Sequence, residues 1–286
     1  MKRKIVLIIL ILLISLSCLS LYASKYFLQC SYYTITNNKI EHPFRIVLLA
    51  DLHNSEFGKN NERLVNKVLE QEPDIILIAG DLINQNEQDL SVALTLLSSL
   101  SDSSIPVYVS YGNHEDSYEK IFSVNLRETY QDTGAIVLEY NYEDIEANGQ
   151  KIRLGGLYGY CLAEKYVGEA RIKEVKFLKE FQDTDLYTIF LCHMPVTWIL
   201  NNSLNEWNCD LVLCGHAHGG QIRIPFIGGL YAPDQGYFVG KEEGLYYSED
   251  QNKIMALTRG LGSTERIPRV NNVPEISVID IKSSDN

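Results

Sequence analysis

Five short apolar runs in this chain each stop at residues able to hold a metal ion, and this repeated ending constrains the fold more than any other feature. Residues 44–50 lead into Asp51-Leu52-His53, and residues 74–79 into Gly80-Asp81. Residues 105–111 lead into Gly112-Asn113-His114-Glu115, 187–192 into His193, and 210–214 into Gly215-His216-Ala217-His218. Apolar runs of this length read as buried strands. Helical spacing lies between them over 61–71, 90–100, 117–130 and 167–181. Residues 135–160 are instead sparse and alternating in their apolar side chains, with a hairpin signal at Asn148-Gly149. Strand-like runs return at 245–248, 253–258 and 276–281. The alternation predicts one α/β domain over 44–286, with mixed sheets and helices outside. In α/β sheets the ligand crevice lies beyond the carboxyl ends of the strands, so the five endings meet on one rim.

The rim is rich in ligands. Five of the six histidines belong to it, and His42 is the exception. Imidazole and carboxylate together suit zinc, iron or manganese. The ligands are too many for one tetrahedral ion and suit two ions sharing a carboxylate. Gly80 and Gly215 let the backbone turn and approach closely. Taken singly, Asp51 and Asp81 could be helix N-caps, but that explains neither the histidines nor Asn113. Cys192 and Cys214 sit inside apolar runs and read as small buried hydrophobes. The six cysteines form no C-x-x-C pair, and their spacing gives a disulfide no support.

The ordered set D-x-H, G-D, G-N-H-E, H and G-H-x-H, continued by Gly219-Gly220-Gln221, resembles the calcineurin-like metallophosphoesterase family. The stretch from Gly260-Leu261-Gly262 to Pro274-Glu275-Ile276 is similar to its membrane-associated bacterial branch, that of YkuE proteins and UDP-diacylglucosamine hydrolases. This resemblance implies a four-layer α-β-β-α sandwich of two mixed sheets. It implies that Asp51, His53 and His218 bind one divalent ion and Asn113, His193 and His216 another, with Asp81 bridging. It leaves His114 free to face the scissile phosphate as the catalytic residue, with Glu115 orienting its ring. The expected reaction is attack by a bridging hydroxide on a phosphodiester or pyrophosphate, with a soluble phosphomonoester, or a non-catalytic scaffold of the same fold, as the alternatives.

Charge bears on partners. Formal net charge is -12, and the first 24 residues carry only Lys2, Arg3 and Lys4. The rest of the chain is therefore more acidic still, which excludes nucleic-acid binding through a basic face. Residues 5–24 are uncharged and rich in Ile and Leu, and twenty helical residues rise about 30 Å, a bilayer's apolar thickness. The basic flank predicts a single-pass anchor over 1–24 with a connector over 25–43 and the catalytic domain outside the cytoplasm. The run is long for a signal peptide and Leu21-Tyr22-Ala23 is a poor cleavage site, which favours retention over secretion. A lipid headgroup or cell-envelope intermediate is then the expected substrate. Among later residues, Arg266 and Arg269 are candidates to contact a phosphate tail, and Tyr231, Tyr237, Tyr246 and Tyr247 to pack or to line a substrate wall.

Overall fold

The structure is a computed structural model that describes residues 2–238, 240–263 and 267–284, with side chains at all of them except Lys2, Val6, Ile9, Leu12, Leu13, Glu169 and Ala170. In chain order the strands are β1 (Gln29–Asn37), β2 (Phe44–Leu49), β3 (Ile75–Ala79), β4 (Val107–Ser110), β5 (Ile136–Val137), β6 (Asn141–Ala147), β7 (Gln150–Gly156), β8 (Tyr187–Leu191) and β9 (Leu211–Cys214). Two small hairpins follow, β10 (Arg223–Ile224) with β11 (Gly228–Gly229) and β12 (Tyr231–Ala232) with β13 (Gly236–Tyr237). The chain closes with β14 (Gly244–Tyr247), β15 (Ile254–Leu257) and β16 (Glu275–Ser283). Twelve of these strands make two six-stranded sheets, ordered β1-β16-β2-β3-β4-β5 and β14-β15-β9-β8-β7-β6.

Both sheets are mixed. β2 to β5 run parallel, as do β7, β8, β9 and β15, while β16 is antiparallel to β2 and β6 to β7. Alternation along each strand builds the layers. Ile46, Leu48, Leu77, Leu154, Ile189 and Leu213 fill the space between the sheets. On the far side of the first sheet, Val47, Leu49, Ile76 and Ile78 pack against α2 (Glu62–Leu69) and α3 (Ser91–Ser101). Behind the second sheet, Phe190 and Val212 meet Val175, Leu178 and Phe181 from a helix over Ile172–Phe181. The result is the α-β-β-α arrangement, with the central strands buried on both faces.

Two expectations are corrected and a third is not supported. Residues 25–43 are more than a connector: β1 lies among them and pairs parallel with β16, nine residues on each side in register. The helix expected over 117–130 is two, Asn113–Phe122 and Leu126–Gln131, because Ser123 turns left-handed at φ 54°. The anchor is not supported as a membrane-spanning helix. A continuous helix, α1, covers Lys2–Tyr26, but several of its side chains fall outside the described set, and among the described residues no helix is long and apolar enough to cross a membrane. All six cysteines are free, and Asn148-Gly149 is the β6–β7 turn, as the sequence predicts.

Candidate metal centre

The carboxyl ends of β2, β3, β4, β8 and β9 bring Asp51, His53, Asp81, Asn113, His193, His216 and His218 together. Asn113 is half-buried and the other six are buried. The chain reaches these positions through unfavourable backbone. Asp51, His53, Asp81, His216 and His218 all have φ between 48° and 71°, a region L-residues seldom occupy and one that clusters at functional sites. Gly80 has φ 79°, and a Cβ there would lie 2.3 Å from the Gly112 nitrogen, so the β3 and β4 endings meet only because Gly80 lacks a side chain. Each motif pins another's carboxylate. The His216 N–H donates to both Asp51 oxygens at 3.0 and 3.1 Å, and the His114 N–H donates to Asp81 Oδ1 at 2.9 Å.

Hydrogen bonds at the outer nitrogens fix the ring tautomers. His193 Nδ1 is 2.7 Å from the Ala79 carbonyl, which can only accept, so Nδ1 carries the proton. His53 Nδ1 likewise donates to Asn84 Oδ1 at 3.2 Å, since Asn84 Nδ2 is occupied by the His53 carbonyl and Glu87. His216 Nε2 donates to Asp234 Oδ2 at 3.2 Å. The remaining lone pairs then point inward at other acceptors. His193 Nε2 sits 3.1 Å from Asp81 Oδ2 and 3.2 Å from His216 Nδ1, while His53 Nε2 sits 3.5 Å from Asp81 Oδ2. His53 Nε2, Asn113 Oδ1 and His218 Nδ1 are buried without a hydrogen-bond partner. Acceptors facing acceptors in a dry site call for cations between them. Two nitrogens about 2.1 Å from one ion at near-tetrahedral angles would be about 3.4 Å apart, close to the His193–His216 separation. Ligand atoms within 4.8 Å of one another define three groups: Asp51 with His53 and His218, Asp81 with His193 and His216, and His53 with Asp81 and His114. The donor set therefore fits divalent metal.

The titration behaviour agrees. Burial pushes the Asp51 carboxyl up to about 7 against the pull of His193. Burial works the same way on Asp81, yet His193 and then His53 outweigh it and hold Asp81 well below the usual range. His193 is pushed up to about 10, because Asp81 and Asp51 overcome the effect of its burial. Burial depresses His53 to about 3 and His216 and His218 below their ordinary value. In effect a proton on His193 stands where a cation would.

Other residues differ from their expected roles. Glu115 does not orient His114. It is buried and accepts from the N–H groups of Asp81, Leu82 and Gly112 at 2.8 Å each, and from the Tyr130 hydroxyl at 3.2 Å. It thereby holds the β3 and β4 endings in place. Arg269 is buried and donates to the carbonyls of Gly262 and Arg259, and Arg266 lies outside the described residues. Tyr231, Tyr237 and Tyr247 are exposed, the first two with rings 5.1 Å apart, while Tyr246 packs behind the second sheet. Sequence reasoning missed Asn84 and Asp234. Asn84 had a signal, a polar residue three past Asp81. Asp234, also bonded by the Tyr160 hydroxyl at 2.9 Å, had none, because only the hairpins carry it to His216.

A family model described as calcineurin-like phosphoesterase matches residues 44–220. Phosphodiesterase YaeI of Escherichia coli (strain K12) is 28% identical over 84% of this chain and 82% of its own length. YkuE of Bacillus subtilis (strain 168), an uncharacterized metallophosphoesterase, is 27% identical over 92% of this chain and 88% of its own length.

Proposed function

This chain belongs to the calcineurin-like phosphoesterase family, and we propose that it hydrolyses phosphodiester or pyrophosphate bonds with two divalent ions, drawn from manganese, iron and zinc. The observation that carries this reading is the pair of ligand groups, Asp51-His53-His218 and Asp81-His193-His216, whose lone pairs converge. Asn113 Oδ1, buried without a partner, would complete the second group, and Asp81 would lie between the two ions. When bound, two such ions supply a nucleophile at neutral pH and neutralise charge developing at phosphorus. The protein's own groups do the rest. Asn84, the Ala79 carbonyl and Asp234 hold the rings of His53, His193 and His216 in the tautomers that leave the inner nitrogens free. His114, the most exposed histidine of the cluster with 15% of its side chain open, would present Nε2 to the substrate. Asp51 and Asp81 are the only carboxylates among the ligands, so two divalent ions leave a net positive site that suits a singly charged diester.

Attachment to the cell membrane through α1, with the catalytic domain outside the cytoplasm and a lipid-linked or envelope substrate, belongs to the same reading. Lys2, Arg3 and Lys4 beside an uncharged run support it. So does a cleft of about 310 Å³ between the end of α1 and the loop after β15, lined by Leu21, Ser24, Phe57, Leu261, Pro268 and Arg269. Its lining residue Gly262 donates its N–H to the Asp51 carbonyl at 2.6 Å. A wholly soluble mature protein starting near Ser24 would refute retention.

The decisive experiment is Asp81→Ala assayed on aryl phosphodiester and phosphomonoester. The variant should lose metal and both activities, and full retained activity would sink the two-metal reading. The wild-type ratio of the two rates decides between diester and monoester preference.

A further inference from the structure

Phe226 and Ile227, at the tip of the β10–β11 hairpin, stand 109% and 64% exposed. Tyr237, in β13 of the next hairpin, and Phe238 after it stand 70% and 56% exposed. Four large apolar side chains so close in sequence and so open are unusual on a soluble surface. Charge is also missing. Between Gln221 and Gly240 only Arg223 and Asp234 are charged, in a chain where 22% of residues are. Both are turned to internal use, Arg223 pairing with Glu243 and Asp234 with His216.

The hairpin is tied on two sides. Its base packs on the metal centre: the Leu230 N–H donates to the Gly220 carbonyl at 3.1 Å, two residues from His218. Its other side is tied to α1. Asn271 N–H donates to Ser20 Oγ at 2.7 Å and Asn271 Nδ2 to the Arg223 carbonyl at 3.2 Å, while Asn272 N–H donates to Ser24 Oγ at 3.0 Å. One turn thus joins the base of the hairpin to the base of a helix whose described Ile and Leu side chains between residues 5 and 19 are 49–62% exposed.

We propose that the Phe226–Ile227 tip inserts into the headgroup–acyl boundary of a phospholipid bilayer and seats the metal centre against it. The inference rests on the membrane reading above and extends it from α1 to the catalytic rim. Contact would be apolar rather than electrostatic, because so acidic a protein gains nothing from anionic lipid.

The test uses the full chain carrying Phe226→Trp, reconstituted into phosphatidylcholine vesicles with brominated acyl chains. Flotation is measured on the same samples. Trp198 and Trp207 are 2% and 5% exposed, so wild-type emission serves as the baseline. The added emission should be largely quenched by bromine and insensitive to salt. In a second arm, Phe226→Ser with Ile227→Ser should slow hydrolysis of a vesicle-embedded phosphatidyl diester several-fold and leave a soluble aryl diester untouched. Flotation without quenching overturns the inference while leaving attachment by α1 intact, and failure to float overturns both. Blue-shifted emission that bromine leaves alone and that grows with protein concentration assigns the tip to a second copy of the chain and overturns it equally.

Discussion

His114 accepts a hydrogen bond at Nδ1 from the Gln85 N–H at 3.1 Å, so the neutral ring carries its proton on Nε2, which lies 4.0 Å from Asp81 Oδ2. Surrendering that proton while Nδ1 stays engaged would leave an imidazolate. On the proposed function the ring would donate a hydrogen bond to a phosphoryl or leaving oxygen rather than release its proton. Losing one such donor costs about 10²–10³-fold in turnover. His114→Ala should fall in that range with metal content unchanged, measured by steady-state kinetics beside elemental analysis. Loss of metal would make His114 a ligand instead. The candidate ligand cluster was legible because a strand ending in Asp or His leaves a local signature, and five such endings in order are specific. What Glu115 does was not legible. Its partners Asp81 and Leu82 lie more than thirty residues away in sequence and meet it only once β3 and β4 are paired.

At the scale of elements, strands buried on both faces were legible from composition alone, as β3 and β8 show with every residue buried. β1 was not. Its sequence QCSYYTITN is polar and largely open to solvent, as suits an edge strand, and its partner β16 lies at the opposite end of the chain. The joint between the two sheets carries a titratable group that no pattern suggested. Glu139 sits in the link from β5 to β6, and its carboxylate accepts the Tyr158 N–H at 2.7 Å. Burial pushes it up to about 8 from an ordinary 4.5. Between those values the folded chain keeps a proton that the unfolded chain has lost, so folding is progressively penalised as pH rises through that window. Glu139→Gln, which can still accept from Tyr158, should flatten that decline. Melting temperatures of both proteins from pH 5 to 8.5 measure it, and parallel curves would show that Glu139 does not titrate there.

For the whole molecule, the segment that matches the family stops at residue 220, but the folded unit does not. β16 lies inside the first sheet between β1 and β2, and the loop after β15 closes over the centre, where a Cβ on Gly260 would sit 2.5 Å from Asp51 Oδ2. Both sheets thus converge on a pocket that buries two carboxylates and four imidazoles. Without cations that pocket opposes folding, since buried acceptors face one another and the carboxylates lose their hydration. With them it would become the clasp between the sheets, because β2 and β3 of the first sheet and β8 and β9 of the second carry the candidate ligands. Ions that bind only the folded chain stabilise it by about 2.7 kcal/mol at a hundredfold excess over Kd. For a domain of this size that corresponds to about 5 °C in melting temperature. Chelator should lower the melting temperature of the metal-loaded protein by that order, and added manganese or zinc should restore it. Asp81→Ala should melt at one temperature with or without metal. A wild-type protein indifferent to chelator, with its metal shown to be gone, would mean that the sheets hold each other without the ions.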